Sequence, residues 1–372
     1  LLGSLIILVL GFKELGGWDE MMRVCGAVTV NDYGDTMTNL IRSNDDANFP
    51  WLGALIGSAI IGFWYWCTDQ FIVQRVLSGK NEKEARRGTI FGAYLKLLPV
   101  FLFLIPGMIA FALHQKYIGA GGEGFLPMLA NGTANADAAF PTLVAKLLPA
   151  GVKGLVVCGI LAALMSSLAS LFNSSAMLFT IDFYKRFRPE TPEKKLVGIG
   201  QIATVVIVIL GILWIPIMRS VGDVLYTYLQ DVQSVLAPGI AAAFLLGICW
   251  KRTSAQGGMW GLIAGMIIGL TRLGAKVYYS NAGEVADSTF KYLFYDMNWL
   301  FFCGWMFLFC IIVVIVVSLA TEAPTAEKIQ GLVFGTATKE QKAATRASWD
   351  HWDIIHTVII LAITGAFYWY FW

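Results

Sequence analysis

The sequence has little charge and none of the short motifs that mark the common enzyme classes. Asp, Glu, Lys and Arg make up 14% of its 372 residues, and only three residues are histidine. An HExxH motif, a CxxC pair, a nucleophile elbow, a Walker loop and a kinase signature are all absent. These absences argue against an enzyme and against an ATP-driven pump. The net charge of +2 gives no reason to expect a nucleic-acid partner.

Cysteine is too sparse and too widely spaced for a disulfide framework. Five of the six cysteines lie within apolar stretches, and only Cys25 lies in a polar segment. Thiols in such surroundings usually act as small hydrophobic side chains. We therefore expect packed thiols and no structural disulfide.

Apolar residues, in contrast, are abundant. Hydrophobic residues make up 57% of the chain and the mean hydropathy is +0.66, which is typical of a membrane protein. A membrane-spanning helix needs about 20 mainly apolar residues, and eight stretches meet this length. They are Phe49–Asp69, Gly88–Leu113, Gly154–Phe183, Leu196–Met218, Tyr226–Trp250, Gly257–Val277, Asn298–Leu319 and Ile354–Trp372. A ninth stretch, Leu1–Phe12, is too short, and we interpret it as the end of a truncated helix in an N-terminally truncated fragment.

The positive residues predict how these stretches cross the membrane. Lys and Arg concentrate in alternate loops, which the positive-inside rule places in the cytoplasm. These loops are Arg75–Arg87, Lys185–Lys195, Lys251–Arg252 and Lys328–Arg346. The loops Lys13–Asn48 and His114–Pro149 are poor in Lys and Arg and are predicted to lie outside. We expect a multi-pass protein of the plasma (inner) membrane.

Two polar features lie at membrane depth. Ser166, Ser167 and Ser170 fall within the apolar stretch Gly154–Phe183, where their hydroxyls can either pack helices together or line a solute pathway. Lys96 lies about nine residues into its stretch, roughly 13 Å from the end at 1.5 Å per residue. It is either a lysine whose amine reaches back to the interface or a donor to a polar solute. Together these groups favour a transporter.

Two further clusters have both a structural and a functional interpretation. Tyr65 and Trp66 belong to a Trp-Tyr-Trp run that is either an aromatic belt or a set of rings that close a binding site. Gln230 and Asp231 lie near the start of Tyr226–Trp250, where an outer interface would tolerate them. A solute site would use the Gln230 amide, since it can both donate and accept hydrogen bonds.

Longer strings in the sequence carry a family resemblance. The strings are Trp64–Arg75, Tyr94–Pro99 followed by Pro106–Ile109, Ala162–Tyr184 and Ala241–Arg252. In these strings the chain resembles the sodium/glucose cotransporter branch of the sodium:solute symporter family. The likeness extends over most of residues 1–270.

The resemblance implies an all-α integral membrane protein with the inverted five-helix-repeat fold, which is leucine-transporter-like. Residues 1–48 would be the end of a truncated transmembrane helix and an outer loop. Residues 49–252 would form the second five-helix repeat of the transport core. Residues 253–372 would form three peripheral transmembrane helices with a cytoplasmic loop.

The resemblance also assigns roles to individual residues. Ala163, Ser166 and Ser167 would supply the second-repeat half of a sodium site, as two hydroxyls and a helix carbonyl, and a hard cation prefers such oxygen ligands. Lys96 and Gln230 would contact the hydroxyls of a sugar.

Tyr65 would be the inner gate of the sugar site, and Trp66 is its neighbour with no assigned role. Gly62 departs from the family pattern, which usually has a hydroxyl or amide side chain there.

The predicted function is therefore sodium-coupled symport of a glucose-like or galactose-like sugar by alternating access, with the sodium ion, the solute and the lipid bilayer as partners. The departure at Gly62 keeps open another solute, such as inositol, sialic acid or an amino acid. A non-transporting membrane sensor or channel on the same fold is the alternative from a different class.

Overall fold

The computed structural model describes residues 2–129, 132–221, 225–281 and 286–372, and these residues are mostly helical. Leu1, with which the first predicted stretch begins, lies outside the described residues. Within the described ranges, extended pairing is limited to three isolated bridges, Thr29 with Thr36, Arg42 with Pro50 and Met128 with Ala134. The all-α prediction is thus confirmed for the part of the chain that the structure describes.

The helices, numbered in chain order, are of very different lengths. They are α1 (Leu2–Leu15), α2 (Trp18–Gly26), α3 (Trp51–Cys67), α4 (Gln70–Leu77), α5 (Glu82–Pro99), α6 (Ile105–Gly119), α7 (Ala139–Leu147), α8 (Ala150–Met177), α9 (Lys185–Phe187), α10 (Glu193–Val221), α11 (Leu225–Cys249), α12 (Ala255–Asn281), α13 (Thr289–Lys291), α14 (Trp299–Ala320), α15 (Ala326–Ile329), α16 (Lys339–Ala347) and α17 (His351–Tyr370). A 3₁₀ turn covers Ala136–Ala138, and π-helical segments cover Val100–Leu104, Leu178–Tyr184 and Tyr292–Asp296.

The long helices correspond to the predicted membrane spans. Seven helices in the described residues are long and apolar enough to cross a membrane, and an eighth span forms if α3 and α4 count as one bent segment. Each of the eight predicted stretches overlaps one of them. The chain is therefore a multi-pass integral membrane protein, as predicted. The short helix α1 has 14 residues, about 21 Å at 1.5 Å per residue, against a hydrocarbon core of about 30 Å.

Two spans contain π-helical turns instead of uniform α-helix. Glu82–Gly119 is one span in which α5 ends at Pro99, the segment Val100–Leu104 is π-helical, and Pro106 stands in the first turn of α6. Proline has no N–H to donate to the preceding turn, so the hydrogen-bond ladder shifts register there. The second π-helical turn, Leu178–Tyr184, follows α8. It lies in the Ala162–Tyr184 string that carries the family resemblance.

The chain divides into two compact units. Unit 1 comprises residues up to Thr38 together with Tyr94–Arg219. Its core forms where α1, α2, α6 and α7 pack, around fully buried apolar side chains, among them Ile7, Leu15, Ile109, Leu113 and Leu143. A Cβ at Gly11 of α1 would lie 2.8 Å from Ile109 Cγ2 of α6, so this glycine permits the close approach of the two helices.

Unit 2 comprises the described residues of Asn39–Ala93 and Ser220–Trp372. Its core is the mutual packing of α3, α11, α12 and α14. Small residues bring these helices together: a Cβ at Gly265 of α12 would lie 3.0 Å from Gly239 Cα of α11. A Cβ at Gly57 of α3 would lie 2.8 Å from the Leu300 carbonyl oxygen of α14. Glycines that leave no room for a Cβ let helix backbones approach closely, which is typical of helices packed in membranes.

The two compact units do not have the same boundaries as the three predicted domains. The predicted boundaries at residues 48 and 252 follow the repeat pattern of the family, whereas the units follow the packing of the described residues. The predicted repeat assignment stays a prediction.

Candidate solute and cation site

The predicted sodium ligands lie on one face of α8 in unit 1. Ala163, Ser166 and Ser167 have the spacing i, i+3 and i+4, which places them side by side on an α-helix. All three are exposed within this chain, and no residue in the most apolar part of the span Ala150–Phe187 is buried. The face is therefore open to a ligand or to a further helix.

Lys96, also in unit 1, lies on α5 and is exposed. It is three residues before Pro99 and four before the π-helical segment Val100–Leu104. Segments with this kind of register shift frequently occur at functional sites in helices. The structure thus places the predicted solute-binding lysine one turn from an irregular part of its span.

Tyr65 and Trp66 lie in unit 2, in the last turn of α3. The Tyr65 ring packs against both neighbours, with its centroid 6.3 Å from that of Trp64 and 5.3 Å from that of Trp66. Tyr65 is half-buried and Trp66 is exposed. The three rings form a continuous aromatic end to α3.

The chain bends directly after this aromatic end. The Thr68 hydroxyl donates to the Trp64 carbonyl oxygen at 2.7 Å, and the Asp69 carboxylate accepts the Phe71 N–H at 2.9 Å as the N-cap of α4. The axes of α3 and α4 differ by 51°. An N-cap of this kind stabilises a helix start by about 1 kcal/mol, so Asp69 fixes the point where α4 begins.

Gln230 is half-buried in α11, the helix that packs against α3 in unit 2. The two helices share a core cluster that includes Ile60 and Ile61 from α3 and Ala237 and Ala241 from α11. Tyr65 follows Ile61 by about one turn, and Gln230 precedes Ala237 by about two turns. The predicted gate and the predicted sugar ligand are therefore on packed helices.

A charge cluster next to Gln230 was not predicted from the sequence. Asp231 Oδ1 accepts from Arg272 Nη2 at 3.2 Å, and Asp231 Oδ2 lies 2.7 Å from Lys276 Nζ. Arg272 is fully buried, while the side chains of Lys276 and Asp231 are 22% and 13% exposed. We refer to Asp231, Arg272 and Lys276 as the charge cluster.

The sequence does contain a signal for this cluster. Arg272 and Lys276 are four residues apart in the apolar stretch Gly257–Val277, so they share one face of α12. Charged side chains in such a stretch usually pair with an opposite charge or with backbone carbonyls. Asp231 is the acidic residue of the preceding stretch, but only the packing of α11 on α12 shows that it is the partner.

The structure divides the predicted site residues between the units. Unit 1 contains Lys96, Ala163, Ser166 and Ser167, and unit 2 contains Tyr65, Trp66 and Gln230. Within each unit they lie on spans or at the ends of spans, in the setting where polar side chains usually serve transport. Their individual roles stay predictions.

These features define the class of protein, which is a multi-pass integral membrane protein with polar side chains on its spans. The profile of the family "Sodium:solute symporter family" matches residues 1–265. The chain belongs to the sodium:solute symporter family. The resemblance stated from the strings Trp64–Arg75, Tyr94–Pro99, Ala162–Tyr184 and Ala241–Arg252 is thereby confirmed.

Individual relatives are similar at about one third identity. The chain is 34% identical over 390 residues to sodium/mannose cotransporter SLC5A10 of Bos taurus, and this alignment covers 99% of this chain and 65% of the relative. It is 34% identical over 347 residues to sodium/myo-inositol cotransporter 2 of Homo sapiens, with 90% and 51% covered. It is 36% identical over 338 residues to sodium/glucose cotransporter 1 of Ovis aries, with 87% and 51% covered. The chain spans between half and two thirds of the length of these relatives.

Proposed function

We propose that this chain is part of a sodium-coupled symporter that carries a sugar across the plasma membrane by alternating access. The observation that carries the proposal is the polar face of α8, with two hydroxyls and a backbone position side by side in a span that matches a sodium-coupled family. The names of the relatives, which refer to sodium with glucose, mannose or myo-inositol, support the coupling ion and the solute class.

In this proposal the sodium ion binds at Ala163, Ser166 and Ser167. Sodium is a hard cation that takes hydroxyl and carbonyl oxygens, and these residues offer both kinds of ligand. All three residues are exposed within the described chain. A neutral site suits a transported ion, because an ion that is bound too tightly would not be released.

The solute would be held by Lys96 and Gln230. The Lys96 ammonium donates hydrogen bonds, and the Gln230 amide donates and accepts, which matches the hydroxyls of a sugar. Tyr65 would close the site toward the cytoplasm, with Trp66 packed against its ring. The assignment of residues 49–252 to the second repeat, and of residues 253–372 to peripheral helices, belongs to the same proposal.

A second candidate is symport of a different hydroxylated solute, such as inositol. The observation that favours it is the open space at Gly62, where a Cβ would meet no atom within 4 Å. Gly62 is one turn before Trp66 on α3, so a missing side chain there leaves room beside the aromatic end of the helix. A solute of different shape, or a water molecule, would fit this room.

The test is uptake by the full-length protein that contains this chain, reconstituted in proteoliposomes. Radiolabelled glucose, galactose, mannose and myo-inositol are offered with and without an inward sodium gradient. Accumulation of a sugar that requires the gradient is the expected result. Accumulation of myo-inositol alone would support the second candidate, and sodium binding without accumulation of any solute would favour a sensor or channel on the same fold.

Variants in the same assay test the residues. Ser167→Ala is expected to raise the sodium concentration for half-maximal uptake, and Lys96→Ala is expected to abolish solute uptake. Sodium-stimulated uptake that is unchanged in both variants would overturn the assignments.

A further inference from the structure

We propose that the charge cluster of Asp231, Arg272 and Lys276 sets the rotation of α11 about its axis and so directs the Gln230 amide toward the solute. These three residues would be positioning residues for solute binding. The inference rests on the proposed function, in which Gln230 contacts the solute. It adds a structural cause for the direction of that contact.

The geometry of a helix links the two neighbours. Successive residues of an α-helix point about 100° apart, so the direction of Asp231 determines that of Gln230. Both Asp231 oxygens are engaged by α12, one by Arg272 Nη2 at 3.2 Å and the other by Lys276 Nζ at 2.7 Å. A carboxylate held at both oxygens by two cations resists rotation of its helix.

Arg272 is itself held by groups other than Asp231. Its Nη2 donates to the Met297 carbonyl oxygen at 2.8 Å, and its guanidinium carbon lies 4.0 Å from the centroid of the Phe302 ring of α14. The side chain has no exposed surface. Arg272 is therefore a fixed reference point to which α11 is attached, and not a mobile partner of Asp231.

The apolar packing of α11 against α3, α12 and α14 lies mainly after the charge cluster, since the core clusters include its residues Val235, Ala237, Ala241 and Ala242. Two contacts in which glycine allows close approach join α11 to α12: Gly239 with Gly265, and Val235 with Gly269, where a Cβ would lie 2.5 Å from the Val235 carbonyl oxygen. These contacts set the distance between the helices. These apolar contacts hold α11 from Val235 onward, and the charge cluster adds a directional contact one turn earlier, next to Gln230.

The first experiment measures solute KM in Asp231→Asn and Lys276→Gln of the full-length protein that contains this chain. If the cluster directs Gln230, solute KM rises about tenfold in both variants, while half-saturation by sodium and the maximal rate per transporter change by less than about twofold. A cluster that only stabilises the fold would lower the amount of transporter in the membrane with KM unchanged. That result would overturn the proposal.

The second experiment is a double-mutant cycle with Gln230→Ala. If Asp231 acts through Gln230, adding Asp231→Asn to Gln230→Ala raises KM by less than about twofold more, since the positioned group is already gone. Two effects that multiply would show that Asp231 acts on solute binding independently. The conservative variant Asp231→Glu is expected to restore KM to within about threefold of the parent protein.

A matched control separates this effect from a general loss of charge. Asp287 pairs with Lys291 at 2.9 Å in the same unit, but the Asp287 side chain is 95% exposed. Asp287→Asn is expected to leave solute KM unchanged. If Asp231→Asn does not reach the membrane, Lys276→Gln decides the question, because Lys276 is the cluster member with the most exposed side chain.

The outcomes distinguish the inference from the proposed function. If Gln230→Ala leaves KM unchanged, the assignment of Gln230 is wrong and the positioning role is wrong with it. If Gln230→Ala raises KM and both cluster variants leave it unchanged, the proposed function stands and the positioning role alone is overturned.

Discussion

The spans α8 and α11 both carry polar groups, yet the two helices accommodate them differently. In α8 the polar groups are neutral hydroxyls on an exposed face, and no residue of its most apolar part is buried. In α11 the charged group is Asp231, and 39% of the most apolar part of the helix is buried. The two kinds of group also differ in the partners they need when water is absent.

A serine hydroxyl can be satisfied within its own helix. Ser174 of α8 donates to the Ser170 carbonyl oxygen at 3.0 Å, one turn back. A carboxylate has no such partner in its own helix, so Asp231 requires cations from α12. Hydroxyls therefore need no particular neighbouring helix, whereas the carboxylate of Asp231 needs the cations of α12.

The largest expected effect is the loss of Arg272, which tests whether α11 depends on its ion pairs with α12. Arg272→Ala leaves Asp231 with one cation and removes the contacts to Met297 and Phe302. Removing one partner of a buried ion pair typically destabilises a protein by about 3–5 kcal/mol. We expect little folded protein in the membrane, measured as surface abundance and as thermal unfolding in detergent.

The control for Arg272→Ala is Arg23→Ala. Arg23 pairs with Glu20 at 2.7 Å, but its side chain is 71% exposed, so its loss is expected to leave abundance unchanged. Equal losses for the two variants would show that burial is not what makes the charge cluster important.

The next effect tests the exposed face of α8. Ser167→Ala removes one proposed sodium ligand without leaving a buried group unpaired, so we expect normal abundance and a roughly tenfold higher sodium concentration for half-maximal uptake. Cys158→Ala is the matched control, since nine residues at 100° each place Cys158 on the opposite side of the helix. Equal changes in both variants would contradict a sodium site on the Ser167 face.

A smaller effect is expected at Gly62 of α3, the helix that packs against α11. Gly62→Ser fits the open space around this residue, so we expect a folded transporter with a change of about threefold to tenfold in the ratio of glucose to myo-inositol uptake. Uptake of both solutes in one preparation measures this ratio.

Gly57→Ser on the same helix is the counterpart of this variant. Its Cβ would lie 2.8 Å from the Leu300 carbonyl oxygen, so we expect lower abundance and no specific change in solute preference. Normal abundance of Gly57→Ser, or lost abundance of Gly62→Ser, would contradict the packing described for α3.

The smallest effect concerns a neutral buried group outside the spans. Burial raises the pKa of the Cys25 thiol to about 11, so the thiol stays protonated at neutral pH. The pKa of this thiol is higher in the folded than in the unfolded protein. Burial of the neutral thiol therefore stabilises the fold at neutral pH, and this stabilisation is lost as pH rises toward 11. We expect Cys25 to resist maleimide in the folded protein at pH 7 and to react after denaturation, as measured by mass spectrometry. Rapid labelling of the folded protein would contradict its burial.

Much of the architecture could be predicted from local composition. Eight apolar stretches predicted eight spans, because a helix needs roughly 20 mainly apolar residues to cross the membrane. This requirement can be read from each segment alone. The strings around Tyr65 and Ser167 predicted the family, which the profile match confirms. The roles of Lys96, Gln230, Tyr65, Trp66 and the α8 residues stay predictions that uptake measurements will decide.

Contacts between segments could not be predicted in the same way. Asp231 and Arg272 are 41 residues apart, and nothing in their local sequences specifies that they pair. The glycine contacts between α11 and α12 likewise depend on which faces of the helices meet. A span with apolar residues on all sides does not show which face that is.

The sequence by itself determined that this protein is helical, crosses the membrane several times and belongs to a sodium-coupled family. These properties follow from hydropathy and from strings of adjacent residues. The tertiary structure alone decided which polar groups are exposed on α8, that the space at Gly62 is open, and that Asp231 is held between Arg272 and Lys276. The physical reason is that burial and ion pairing depend on neighbours distant in the sequence, whereas the membrane selects each span by its own composition.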